Sequence, residues 1–157
     1  MKKIMVVYES RTGNVEAMAR AAADGITRGG AQAFLRECDK VNMEELSAMD
    51  GILAGSFTSY GQMSSGMSRF FELSYAVHGK LQGKPAGAFA SSGGFGGGNE
   101  TTVLSLIKAL MVHGMSVLGN SDVPHFGTVS VGTPDAEILE NCRKQGEQLA
   151  RQAQRMN

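Results

Sequence analysis

Tryptophan is missing altogether, while proline occurs three times and cysteine twice in 157 residues. The two cysteines, Cys38 and Cys142, have no C-x-x-C spacing. They exclude a disulfide scaffold and read as reduced thiols of a cytoplasmic protein. Neither sign of charge is in surplus, since 15 basic residues stand against 15 acidic ones. That balance offers no basic field for nucleic acid and no dense acidic face for a cationic partner. Long hydrophobic runs are missing too. In the opening "MKKIMVVYES" the apolar stretch ends before Glu9, short of the roughly 7–15 residues of a secretory core or the about 20 of a membrane span. Internal repeats and linkers are also absent. Residues 1–157 therefore read as one domain, long enough to bury roughly 70% of its unfolded surface.

Glycine and methionine are plentiful, at 21 and 10 residues. The methionines read mostly as core filler at helical spacing, Met63 being the one in a candidate site. Short apolar runs alternate with amphipathic segments. Ile4 to Tyr8 is almost wholly apolar, as a strand buried on both faces would be. After it Val15, Met18, Ala19, Ala22 and Ile26 recur at helical spacing until Gly29-Gly30. Further strands fit Gln32 to Cys38, Gly51 to Ser56 and Pro85 to Ser91. A fifth fits "MSVLGN", resumed at "GTVSV". Asn42 with Glu45 three residues on starts a short helix, and Met67, Phe70, Phe71 and Ser74 line one face of another. A long helix spans about Glu100 to His113. The closing helix starts with Thr133 as cap and Pro134 at its first position. Strands separated by helices predict an α/β fold, a five-stranded parallel sheet covered on both faces.

Ligands of such sheets sit beyond the carboxyl ends of the strands, where strand order reverses. Three unusual loops follow strands. In the first, Ser10 to Val15, a helix N-terminus offers unpaired amides and a positive dipole end. Ser10, Thr12 and Asn14 add donors, and Gly13 lets backbone come close. The pattern is neither the G-x-x-x-x-G-K-[ST] loop nor G-x-G-x-x-G. A bare capped helix is the other reading of this stretch, and Arg11 either adds charge or points into water. The second loop, Gly55 to Met67, carries Phe57 and Tyr60 amid small residues. Exposed aromatics there want a flat partner, although Phe57 suits the core. The third, Ala90 to Thr101, sets Phe95 among hydroxyls and glycines. Read alone, it is equally a mobile surface loop.

With these loops in order, the chain resembles the flavodoxin family over essentially its whole length. The family's phosphate loop reads S/T-x-T-G-x-T, and "SRTGNV" matches it except at Val15. The resemblance implies a three-layer sandwich with strand order 2-1-3-4-5 and bound FMN. Its phosphate would be held by Ser10, Arg11, Thr12, Gly13, Asn14 and the amide of Val15. Many flavodoxins stack the ring on a tryptophan and a tyrosine, so here Tyr60 and Phe95 would serve. Two stretches, "TSYGQMSSGMSRFFE" and "GGGNETTVLSLIKALMVHGMSVLG", are similar to the NAD(P)H:quinone reductases of the WrbA type. That likeness puts Thr58, Ser59, Tyr60, Gly61 and Gln62 beside the flavin, with Ser91, Ser92, Gly93, Gly94, Phe95 and Gly98 from the third loop. It also sets His113 where that group has a histidine near the ring. The plain alternative is that His113 only meets the negative end of a helix dipole. Ser59 stands where the group has arginine.

The resemblance leaves two functions open: an electron carrier between redox protein partners, and a quinone reductase fed by NAD(P)H. The loops contain only Glu9 and Glu100 as acids, against Arg11 and Arg69. Reduction of the flavin is then less opposed than in an acidic surround, which suits a two-electron reductase. The short loops and the lack of any dedicated nicotinamide site suit a carrier. A response-regulator-like domain wants an aspartate after the third strand, and "AGSFT" has none. A ligand-free scaffold would be colourless.

Overall fold

Ile4, Met5, Val6 and Val7 are all fully buried, which a short strand achieves only in the middle of a sheet covered on both sides. The structure, a computed structural model, describes residues 1–156. In it these residues form β1 (Lys3–Glu9), flanked by β2 (Gln32–Glu37) and β3 (Gly51–Ser59). Successive side chains point to opposite faces. Ile4, Val6 and Tyr8 enter one core with α1 (Asn14–Arg28) and α5 (Ala136–Arg155). Met5 and Val7 enter the other with α2 (Met43–Ser47), α3 (Ser65–Ser74) and α4 (Asn99–Val112). Cys38 lies in the second core and Cys142 in the first, so the sheet separates the two free thiols.

The sheet runs β2-β1-β3-β5-β6, where β5 is Pro85–Ser92 and β6 is Ser116–Val117. A further strand, β7 (Val129–Val131), also pairs with β5, at Ala90 to Ser92. The expected order 2-1-3-4-5 is therefore present, with the fifth strand in two pieces. A short strand, β4 (Gln62–Met63), folds back on β3 through an antiparallel pairing. Two expectations shift. The segment from Gly55 is not loop: β3 continues to Ser59 because Phe57 still pairs with Ser91 on β5. The closing helix is capped by Asp135, whose carboxylate accepts from Ile138 N at 2.8 Å, so Pro134 precedes the helix. Aspartate caps at least as well as threonine, and it is the nearer candidate to the apolar run.

Helices α1 and α5 touch backbone to backbone. A Cβ at Gly25 would fall 1.9 Å from the carbonyl oxygen of Arg143, and one at Gly146 would fall 2.1 Å from that of Ala22. Glycine costs a helix interior about 1 kcal/mol against alanine. The close approach it permits buries Met18, Ala22, Ile26, Leu149 and Ala150 in return.

Candidate functional site

The strand order reverses between β1 and β3, and the ends of β1, β3 and β5 lie side by side there. Glu9 pairs with Ser56, and Phe57 with Ser91. All three loops singled out by their composition thus rise from one edge.

The first loop ends in Gly13, the left-handed N-cap of α1 (φ 93), where a Cβ would meet nothing within 4 Å. Ser10 Oγ accepts from the amides of Gly13 and Glu16, both at 3.2 Å. These contacts show where the first turn of α1 binds an oxygen. Asn14 and Val15 contribute further first-turn amides that have no acceptor within the helix. The Val15 side chain is buried, so only its amide faces the loop, while Arg11 and Thr12 are exposed. The Arg11 guanidinium lies 4.5 Å over the Phe57 ring. That ring packs partly into the core, and the stacking ties the first loop to the end of β3.

Beyond Ser59 the chain turns in two residues, Tyr60 (φ 50) and Gly61 (φ 75), and returns as β4. Positive φ at both positions is the type I′ hairpin geometry, and it is strained for a tyrosine. The Tyr60 ring gains no burial in exchange, being 103% exposed. Phe95, in the third loop, is 99% exposed. The loops that carry them touch: a Cβ at Gly98 would come 2.8 Å from Gly61 Cα. Ser91 and Ser92 are buried beneath the third loop. The Ser92 hydroxyl donates to the Gly94 carbonyl at 3.0 Å and accepts from Asn99 Nδ2 at 3.1 Å, so it shapes the loop. Gly93 and Gly94 are exposed, as is Gln62 at the hairpin. Thr58 reaches the hydroxyl of Thr102 at 2.9 Å.

His113 does not join this group. It follows α4 at its C-terminal end, whereas the third loop feeds the N-terminal end, and 14 helical residues separate them by about 20 Å. Its Nε2 lies 2.7 Å from Ser74 Oγ, and the Ser74 hydroxyl is 2.7 Å from the Phe71 carbonyl. The Ser74 hydroxyl thus bridges Nε2 and that carbonyl, and Nδ1 is buried without a partner among the described residues. Burial, and secondarily the neighbouring His78, lower the His113 pKa from its usual value. The imidazole is a tie between α3 and α4, which is nearer to the plain alternative than to a proton donor beside the ring.

Composition did not single out Asn99, Thr102 and Ser105. Ser105 Oγ accepts from Met63 N at 2.9 Å and donates to the Thr102 carbonyl at 2.7 Å. The clue available in sequence was two hydroxyls three residues apart on an otherwise apolar helix face.

A cleft of about 460 Å³ opens on the other side of Ser10, toward β2, lined by Tyr8, Glu9, Glu37, Asp39, Arg69 and Phe70. Its carboxylates disfavour a phosphate and it lacks both exposed rings, so the three-loop edge is the better ligand site. That edge combines a helix N-terminus with free first-turn amides and two uncovered aromatic rings. Such a donor set fits a phosphate joined to a planar heterocycle, the shape of FMN. No group of three or more histidine, cysteine or acidic side chains among the described residues could hold a metal ion.

Comparison with known proteins gives the same picture. The flavodoxin family profile matches residues 6–126. A flavodoxin of Aquifex aeolicus is 38% identical, covering 96% of this chain and 86% of its own. An NAD(P)H dehydrogenase (quinone) of Archaeoglobus fulgidus is 28% identical, covering 99% of this chain and all of its own. Among solved structures, a WrbA-like flavodoxin from Agrobacterium tumefaciens superposes with a TM-score of 0.87 at 25% identity, covering 100% of both chains. With its sheet order, its three loops and these relatives, this chain belongs to the flavodoxin family, whose members carry a flavin.

Proposed function

We propose that this protein binds FMN at the three-loop edge and carries electrons between protein partners. The observation that carries the reading is the pair Tyr60 and Phe95, fully exposed on two loops that touch each other beside the N-terminus of α1. Two bare rings at one edge are a cost unless a flat ligand covers them. The amides of α1's first turn with Ser10, Thr12 and Asn14 hold the phosphate. Tyr60 and Phe95 cover the ring faces and exclude water, and the backbone of the Tyr60-Gly61 turn and the glycines of the third loop border the ring edge. The bound flavin supplies the electron-accepting chemistry.

A second reading, an FMN-containing reductase of quinones using NAD(P)H, draws support from the Archaeoglobus relative and from the whole-chain likeness to the WrbA-like structure. His113 is not available within the chain as its proton donor. Two separated, buried thiols and the lack, among the described residues, of any helix long and apolar enough to cross a membrane fit a cytoplasmic setting.

Anaerobic mixing of the FMN-loaded protein with NADPH, then NADH, separates the two. Flavin absorbance that persists with both, yet bleaches with dithionite, supports the carrier. Rapid bleaching by either nucleotide supports the reductase. Failure to take up FMN at all removes both readings.

A further inference from the structure

The two ring-bearing loops are joined by one residue that touches neither exposed ring. Thr102, in the first turn of α4, is fully buried. Its hydroxyl lies 2.9 Å from the Thr58 hydroxyl, on the strand that leads into the Tyr60-Gly61 turn. The same hydroxyl lies 2.8 Å from the Gly98 carbonyl, at the end of the loop that carries Phe95. The Thr102 carbonyl continues the connection, since it accepts from Ser105 Oγ, which in turn accepts from Met63 N on the returning strand of the hairpin. Both arms of the hairpin are thereby hooked to one helical turn. The Gly98–Gly61 approach closes the contact, for a Cβ at Gly98 would meet Gly61 Cα at 2.8 Å and Thr58 Cγ2 at 3.4 Å.

We propose that Thr102 is a positioning residue that couples the second and third loops, fixing Tyr60 and Phe95 in register as the two walls of one ring site. The physical case rests on placement. A two-stranded hairpin with only two ladder pairs, Thr58 with Met63 and Ser59 with Gln62, has little stability of its own. A tyrosine at positive φ opposes the turn further. Something outside the hairpin must hold it, and two α4 hydroxyls, that of buried Thr102 and that of half-buried Ser105, are what it meets. Helix α4 is packed through buried Val103, Leu106 and Leu110, so what it holds inherits its position. What the position needs is a buried hydroxyl, because that one group serves both loops. The inference rests on the FMN reading for its consequence, while the coupling itself is a property of the protein alone.

The test uses the full chain and two variants, Thr102→Val, which keeps the shape and deletes the hydroxyl, and Thr102→Ser, which keeps the hydroxyl. Hydrogen exchange is measured first on the flavin-free protein. Amides of residues 59–63 should exchange about tenfold faster in Thr102→Val, the loss of about one hydrogen bond, and return to the parent rate in Thr102→Ser. FMN is then added, and its dissociation rate and midpoint potential are measured. The valine variant should release FMN about tenfold faster with a displaced potential, and the serine variant should match the parent in both. Thr58→Val combined with Thr102→Val should cost less than the sum of the two single changes. Unchanged exchange in Thr102→Val overturns the coupling whether or not FMN binds. Equal effects from valine and serine overturn it too, by assigning the role to packing. Altered exchange in a protein that takes no FMN keeps the coupling and discards the FMN reading.

Discussion

Gln145 reaches out of α5 to the backbone of β5, where its Nε2 donates to the carbonyl oxygen of Ala88 at 2.8 Å. Its Oε1 accepts from Thr128 N at 3.2 Å. Ala88 sits where β6 has ended, at the partner of Ala86, and β7 has not begun, at the partner of Ala90. A side chain thus takes over the pairing that the interrupted fifth strand leaves undone, at a fully buried residue.

Gln145→Leu should therefore cost about 1–3 kcal/mol, the penalty for a buried carbonyl without a donor. Urea unfolding of the two proteins checks this. The slope should stay the same while the midpoint falls.

Gly146→Ala should destabilise despite alanine's better helix propensity. The added methyl would land 2.1 Å from the Ala22 carbonyl, a backbone atom that can yield only if α1 and α5 move apart. A cost of roughly 1–3 kcal/mol fits overpacking of this kind. A rise in melting temperature would show that the two helices tolerate separation.

At the first loop, Thr12→Val together with Asn14→Ala should weaken FMN binding by a few kcal/mol, at about 1 for each neutral hydrogen bond and up to about 3 for one to a charged phosphate. Riboflavin, which has no phosphate, should bind both proteins alike. Flavin fluorescence titration distinguishes the two ligands.

The His113 imidazole binds its proton less readily in the fold than in the unfolded chain, because burial and His78 lower its pKa. The unfolded state then carries more protons, so stability from this group is full above about pH 6.5 and is lost as pH falls through that value toward the lower folded one. His113→Gln should flatten that part of the stability profile between about pH 7 and 5. Denaturation midpoints across the range measure it.

Burial pushes the Cys142 thiol up to about 12 and the Cys38 thiol up to about 11. Neither should react with a thiol reagent at pH 8 while the protein is folded, since the thiolate is the reactive form. Both should react in denaturant, and counting the labelled thiols by mass spectrometry checks it.

What could be read in the sequence was local. Ile4 to Tyr8 announces a buried strand, and Asn42 does cap its helix, accepting from Glu44 N and Glu45 N. The three loops follow their strands because composition marks them and strand direction gathers them. The rest depended on contacts between distant residues. Nothing beside Ala88 in the chain foretells that residue 145 will complete its pairing. Gly61 suits a turn on sequence alone, whereas positive φ at Tyr60 does not, because a tyrosine has no local preference for that backbone. His113 was drawn toward the site by likeness of motif, whereas the length of its helix carries it away.

Between Val117 and Val129 the chain leaves the sheet and returns without disturbing its order. Val123 stands 80% exposed in this excursion. Its exposed stretch, residues 119–126, is thus a place where the protein can change length at little cost over evolutionary time, since Thr128 and its bond to Gln145 lie outside it. For the same reason it is where an epitope could be spliced in, or new chain ends opened, with the three-loop edge left intact.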